Sequence, residues 1–289
     1  MPKSSKQFTV LITGANGYTA NHMVRCIDAI SPRPVILGLQ RISTSKPRSN
    51  IYLFDQVYNR IDDLKSDHPS VDVVFHLAAY IPKSQEKDDI NRLFESNIEL
   101  TEKLIFSFQE AHFIFASSIA VYGRQEGPVS VNSAFNSPSL YGHSKIAAEF
   151  LIQTSSHWSI IRLTSILGRD MPKTSFVPII QEQAQKNGVI KIVGNGERRQ
   201  NYIDVRDVVR LFAHIMSLPK ENSNKLILIG GGVRSIKNIK IAELTAELTG
   251  ARIEKSGIDN SPSFVAIDMS LPKTYEHFFT INQTLEWMQ

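Results

Sequence analysis

The stretch FTVLITGANGYTANHMV, residues 8–24, constrains the fold more than any other part of the chain. An apolar, β-branched run ends in a glycine turn, and a helical period begins a few residues later. A strand that passes straight into a helix cannot meet its next neighbour through a hairpin. It needs a crossover, and crossovers build parallel sheets with helices on their faces. The spacing Gly14-x-x-Gly17-x-x-Ala20 gives each small residue a task. Gly14 suits the tight turn, Gly17 lets backbone approach a pyrophosphate, and Ala20 lets the helix pack close to the strand. The unpaired N–H groups and positive dipole end of the helix then offer a seat for phosphate. Glycine turns are common without any ligand, so the pattern carries weight only because strand and helix flank it in this order. It predicts a dinucleotide site at Gly14, Asn16, Gly17, Tyr18 and Thr19.

The same alternation recurs downstream. Apolar runs at 34–39, 50–54, 72–78, 112–117, 158–164 and 225–230 are unbroken, as strands covered on both faces require. Helical periods fall at 19–30, 98–111, 145–155 and 207–216. The expected fold class is α/β: a Rossmann-type doubly wound parallel sheet with a smaller C-terminal substrate-binding lobe. The alternation weakens after Gly168. The dinucleotide domain is therefore assigned to 1–168, completed by about 204–231, and the lobe to 169–203 and 232–289.

Composition narrows the setting. Cys26 is the single cysteine, which rules out an intrachain disulfide and favours a cytoplasmic location. The stretch MPKSSKQF lacks the apolar core of a secretory signal, and no apolar run approaches the roughly 20 residues of a membrane span. The net charge of +4 is scattered rather than clustered, which argues against nucleic acid and suits a small anionic ligand. No His or acidic cluster has metal-ligand spacing.

The exit of the second strand chooses between the two nicotinamide dinucleotides. NAD binders usually place a carboxylate there for the ribose hydroxyls. The segment ILGLQRIST has no Asp or Glu between 35 and 50; Arg41 follows Gln40, with Lys46 and Arg48 beyond. A guanidinium fork matches a 2′-phosphate, which a carboxylate would repel. The alternative is a basic surface loop. The expectation favours NADP(H) and leaves NAD(H) open.

YGHSK, residues 141–145, sets Tyr141 and Lys145 one helical turn apart. Alone, such a pair is common on solvated helices. Its setting raises its weight: HFIFASSIAVYG (112–123) ends a predicted strand in Ser117 and Ser118, and Tyr141 follows Ser118 by 23 residues. Together with TGANGYTA, VDVVFHLAA (71–79), Asn97 in NIELTE and GNGERRQNYIDVRDVV (194–209), this order resembles the extended short-chain dehydrogenase/reductases, specifically the NAD-dependent epimerase/dehydratase family. The resemblance covers nearly the whole chain. It implies Tyr141 as catalytic acid/base, Lys145 as its partner and a ligand of the nicotinamide ribose, and Ser118 as the hydroxyl holding the reacting substrate oxygen. It further implies cofactor contacts at Leu77, Ala78, Ala79, Asn97 and Ser117, and at Asp55 near the adenine. His143 reads as a solvated or substrate-edge residue and His76 as a packing residue. A homodimer through a helix bundle over 98–111 and 145–155 is also implied.

The chemistry accounts for the residue types. A free phenol has a pKa near 10, and an ammonium about 4 Å away at an effective dielectric near 20 favours phenolate by roughly 4 kcal/mol. The expectation is a Tyr141 lowered toward 7, where acid/base catalysis is efficient.

Departures from the family pattern bear on the substrate. Dehydratases of the family usually carry an Asp-Glu pair where this chain has Ser118-Ile119, which disfavours water elimination. Gln200 stands where nucleotide-sugar enzymes commonly have an arginine gripping the diphosphate, with Arg198 and Arg199 just upstream, and Ser165 stands where an asparagine is frequent. Ser118, Ser165, Arg199 and Gln200 are the expected substrate contacts. The expected activity is NADPH-dependent reduction of a nucleotide-linked 4-keto sugar. The alternatives are a 4-epimerase with tightly held NAD, a carbonyl reductase acting on a non-sugar, and a dinucleotide sensor without catalysis.

Overall fold

Thr9–Thr13 (β1) is buried at all five positions, as an unbroken apolar run covered on both faces must be. A computed structural model describes residues 7–41, 50–231, 235–261, 263–266 and 271–289. β1 leads into Tyr18–Asp28 (α1), Val35–Leu39 (β2), Gln56–Tyr58 (β3), Ile61–Asp67 (α2), Val73–His76 (β4), Lys87–Phe94 (α3) and Leu100–Ser107 (α4). His112–Ser118 (β5), Leu140–Ile152 (α5), His157–Leu163 (β6), Ser165–Leu167 (β7), Phe176–Asn187 (α6) and Val189–Val193 (β8) follow. Arg199–Gln200 (β9), Tyr202–Asp204 (β10), Val205–Ser217 (α7), Lys220–Ser223 (α8) and Leu226–Gly230 (β11) come next. Ile236–Lys237 (β12), Asn238–Thr249 (α9), Arg252–Ser256 (β13) and Ile281–Met288 (α10) complete the order.

Seven strands form the main sheet in the order β11-β6-β5-β4-β1-β2-β3. β1 pairs in parallel with β2 and β4, β2 with β3, and β4 with β5. The chain runs outward from β1 to β3 and then returns to β4 on the other side of β1, so the strand order reverses there. In an open α/β sheet, ligands bind in the crevice at such a reversal, outside the carboxyl ends of the strands. Thr13 and His76 are register partners at those two ends. Leu11, Leu37, Val74, Phe113 and Ile160 are fully buried with Leu64, Leu104 and Ala148 of the covering helices. This is the Rossmann-type α/β fold expected from the sequence.

The run at 50–54 is not a strand. Ile51–Leu53 forms a short 3₁₀ turn, because buried Asn50 bonds back to α1, its Nδ2 donating to the Asn21 carbonyl at 2.8 Å. The strand, β3, comes next; as a sheet edge with Gln56 exposed, it has no apolar run to announce it.

Contacts divide the chain into two units, one of 1–123, 137–162 and 209–228, the other of 124–136, 163–208 and 229–289. Segment 124–136, which the sequence placed with the dinucleotide domain, joins the second unit, where Val129 bridges Ala266. That unit has its own core around Val177, Ile180, Ile190, Ile241 and Leu285. α10 opens on a Thr280–Gln283 capping box and is held to β10 by the Thr284 hydroxyl, which donates to the buried Asp204 carboxylate at 2.7 Å. Arg206 also grips Asp204 and lies over the Phe279 and Trp287 rings at 3.5 and 4.0 Å. Among the described residues, no helix is long and apolar enough to cross a membrane.

Candidate active site

The glycine turn lies at the crevice that the strand order creates. Gly14 adopts φ +70°, and a Cβ there would meet Ala78 Cα at 3.1 Å, so the turn rests directly on the backbone after β4. Gly17 N donates to Gly14 O at 2.6 Å, and a Cβ on Gly17 would meet that oxygen at 2.8 Å. No side-chain hydrogen bond caps the N-terminus of α1. A glycine cradle, an uncapped helix start and the Leu77–Ala79 floor are the elements that fit a dinucleotide pyrophosphate. Ala15 N donates to Leu39 O at 3.1 Å, tying this turn to the exit of β2. There Arg41 is exposed, with its Nη1 3.3 Å from Ser96 Oγ and its guanidinium 5.7 Å from the Tyr80 ring centre. Lys46 and Arg48 lie outside the described residues.

Ser118, Tyr141 and Lys145 come together in the first unit. Ser118 is the last residue of β5 and caps the 3₁₀ turn 119–122, its Oγ accepting from Ala120 N at 3.1 Å. Ser139 caps α5 through Gly142 N at 3.2 Å, which puts Tyr141 in the first helical turn and Lys145 in the second. The Ser118 side chain lies close enough to the Tyr141 phenol to draw its pKa down. Gly142 explains the glycine of the pentapeptide: any Cβ there would collide with the Ala120 carbonyl oxygen, so only glycine lets α5 press against the turn after Ser118.

The electrostatics differ from the expectation. Lys145 is buried, donates to the Ala116 carbonyl at 2.8 Å and lies 4.6 Å from the Phe115 ring centre and 5.8 Å from that of Tyr141. Burial lowers its pKa to about 7, against the opposing pull of Glu149. Burial likewise pushes Tyr141 up to about 12, with only the Ser118 side chain acting the other way. The phenol is therefore not lowered toward 7. The ammonium is spent on a backbone carbonyl and an aromatic face, and desolvation prevails.

In the second unit, β7 and β10 pair Ser165 with Tyr202. The Gln200 carboxamide donates to Ser165 Oγ at 3.3 Å, and its oxygen accepts from Arg198 Nε and Nη2 at 3.1 and 3.0 Å. Arg199 turns the other way, its Nη1 donating to the Ser235 carbonyl at 3.3 Å. Side chains alternate along a strand, so Arg198 and not Arg199 shares a side with Gln200.

The family model for the NAD dependent epimerase/dehydratase family matches residues 10–230. The chain belongs to that family. Its relatives include a Bacillus subtilis (strain 168) protein, YtcB, called an uncharacterized UDP-glucose epimerase, 26% identical across 93% of this chain and 92% of the relative. The dTDP-4-dehydro-6-deoxyglucose reductase of Escherichia coli is 27% identical across 77% of this chain and 76% of its own length. Among solved structures, UDP-glucuronic acid 4-epimerase from Bacillus cereus, in complex with UDP-glucuronic acid and NAD, superposes with a TM-score of 0.83 at 20% identity. That match covers 97% of this chain and 98% of the other. This epimerase/dehydratase family member is thus an NAD(P)-dependent enzyme of the short-chain dehydrogenase/reductase type.

Three residues expected at the cofactor of this family member are engaged elsewhere. Asp55 precedes β3 instead of following it: its carboxylate takes Ile36 N at 2.7 Å and Arg33 at 2.9 Å, at the amino end of β2, away from the crevice. The residue at the exit of β3 is exposed Asn59. Ser117 is buried, one position before Ser118 on a pleated strand, and donates to Glu149. Glu149 is in turn bonded to Arg162 at 3.0 and 2.8 Å, and Arg162 to the Tyr122 hydroxyl at 2.9 Å. Asn97 is buried in a π turn, Glu95–Glu99, and its amide is spent on Tyr80 N, Tyr80 O and Ser144 Oγ at 2.7, 3.0 and 2.9 Å. It clamps α5 rather than the cofactor. The sequence reading did not single out Gly142, and of the two arginines before Gln200 it took Arg199 rather than Arg198 as the expected substrate contact.

Proposed function

We propose that this enzyme reduces the 4-keto group of a nucleotide-linked sugar with NADPH, Tyr141 giving the proton to the carbonyl oxygen. The observation that carries this reading is the Ser118–Tyr141–Lys145 set with the phenol held fully protonated. A neutral phenol beside a serine hydroxyl is the form needed to protonate an alkoxide as it develops. Ser118 fixes the substrate oxygen at hydrogen-bond distance from the phenol, so that carbon and proton donor meet in one geometry. Lys145, held on the Ala116 carbonyl, would bind the ribose of the dinucleotide. The bound nicotinamide supplies the hydride; the chain supplies orientation and the proton. Arg41, with no carboxylate between 35 and 50, supports NADPH through its 2′-phosphate. Arg198, steadied by Gln200 and Ser165, replaces the arginine missing at position 200 as the group that holds the substrate's diphosphate.

A second reading, a nucleotide-sugar 4-epimerase with tightly held NAD, is favoured by the names of several relatives, among them the UDP-glucose 4-epimerase of Streptococcus mutans serotype c (strain ATCC 700610 / UA159). An epimerase returns its hydride to the same substrate and gains from retaining NAD, whereas a reductase must exchange cofactor at each turnover. Denaturing the purified protein and analysing the released nucleotide separates the two. Little nucleotide supports the reductase; stoichiometric NAD supports the epimerase.

A further inference from the structure

One buried titratable group at the crevice has no part in the proton transfer described above. His76, the last residue of β4, has no exposed surface, and burial holds its pKa at about 3, so it is neutral. Its two ring nitrogens make two hydrogen bonds, to Thr13 Oγ1 at 2.8 Å through Nδ1 and to Thr101 Oγ1 at 2.8 Å through Nε2.

The partners of those hydroxyls fix every hydrogen. Thr13 Oγ1 already accepts Leu77 N at 3.1 Å and Ala78 N at 3.0 Å, which fills its two lone pairs. Its own hydrogen must therefore go to His76 Nδ1. With Nδ1 accepting, the imidazole proton sits on Nε2 and goes to Thr101 Oγ1. The Thr101 hydrogen goes in turn to the Asn97 carbonyl at 2.8 Å. Asn97 Nδ2 donates to Ser144 Oγ at 2.9 Å, and the Ser144 hydrogen goes to the Tyr141 carbonyl at 2.8 Å. The result is a directed run from the backbone that floors the cofactor crevice to the Asn97 carbonyl, and a second run from the Asn97 side chain to the first turn of α5. Only a neutral His with its proton on Nε2 closes the first; a doubly protonated ring would aim a donor at an oxygen with no lone pair left.

We propose that His76 is a positioning residue for hydride transfer, the middle link that fixes the Leu77–Ala78 floor relative to the helix carrying Tyr141 and Lys145. This rests on the reading that the dinucleotide lies on that floor and that Tyr141 is the proton donor. Displacing reacting groups by about 1 Å costs up to roughly 100-fold in rate, so a small slackening of this link reaches the chemistry.

The test compares His76→Leu, which removes both bonds, with His76→Gln, whose carboxamide can accept at one end and donate at the other. NADPH affinity is read by fluorescence titration, kcat by NADPH oxidation, and fold by circular dichroism. His76→Leu is expected to lower kcat by about 10- to 100-fold and to weaken NADPH binding, with His76→Gln recovering most of both. In ¹⁵N-histidine spectra of the parent, His76 is expected to stay in the neutral Nε2–H form at pH 5 while exposed histidines protonate. A folded His76→Leu within about twofold of the parent in both measures, or a His76→Gln no better than it, overturns the proposal, as does a His76 carrying its proton on Nδ1. If His76→Leu does not fold, Thr101→Val decides in its place: a similar loss of kcat supports the chain, and parent-like kcat overturns it. Tyr141→Phe, run alongside, separates the two layers. An active Tyr141→Phe sinks the functional reading itself, whereas an inactive one beside an active His76→Leu sinks only the role of His76.

Discussion

Tyr141 reaches Ser118 because the next residue has no side chain. A Cβ at position 142 would enter the Ala120 carbonyl, forcing α5 off the turn that follows Ser118. Gly142→Ala should therefore lower kcat at least about tenfold and cost about 1–3 kcal/mol of stability from overpacking, read by kinetics and denaturant melts. Loss of stability alone would mean that the close approach serves packing only. In the second unit, Arg198→Ala should raise KM for a nucleotide-linked substrate more than tenfold while the NADPH dissociation constant holds, and Arg199→Ala should do little, since its guanidinium is turned to Ser235. That Ser118, Tyr141 and Lys145 lie together was legible in the sequence because one strand end and one helical turn suffice to align them. Asp55 and Ser117 were misassigned for a reason of direction. A residue's use depends on which end of its strand it occupies and which face it points to, and both follow from register.

The exit of β2 and the entry to α1 are one structure, joined by the bond from Ala15 N to Leu39 O. Under the proposed NADPH reading, Arg41 at the exit of β2 is the group that meets the 2′-phosphate. Arg41→Ala should weaken NADPH at least about tenfold and NADH hardly at all in a fluorescence titration, because only NADPH loses a charge-assisted bond. Equal losses would remove Arg41 from the choice of cofactor. α5 is anchored at its other end by Glu149, whose bidentate pair with Arg162 is buried on both sides. Most elements were legible because unbroken apolar strands and helical periods alternate. β3 was not, because an edge strand of three residues with an exposed glutamine carries no apolar run, and the apolar run before it is turned by Asn50 onto α1.

For the whole molecule, acid stability follows from its buried histidines. His112, stacked 3.7 Å from His157 at the amino ends of β5 and β6, is lowered by burial to about 3, as is His76. Both have folded pKa values below the unfolded value of 6.5, so between about 3 and 6.5 the unfolded chain binds more protons. Stability should be full above about pH 6.5 and fall as the pH drops through that window, and His112→Asn should flatten the slope in denaturant melts. A slope unchanged by that substitution would assign the acid loss to other groups. The doubly wound sheet was legible at this scale, since a strand–glycine–helix start followed by alternating strands and helices leaves few other arrangements. The substrate was not, because the partners of side chains such as Arg198 are set by tertiary pairing. The central claim, hydride transfer to a keto sugar with Tyr141 as proton donor, is tested most directly by following reduced-nicotinamide absorbance with a nucleotide-linked 4-keto-6-deoxy sugar. The parent should oxidise NADPH in stoichiometric amounts only when the sugar is present, and Tyr141→Phe should do so about 10²–10⁴-fold more slowly while still binding NADPH. No NADPH oxidation, together with interconversion of two hydroxy sugars by protein-held NAD, would contradict it.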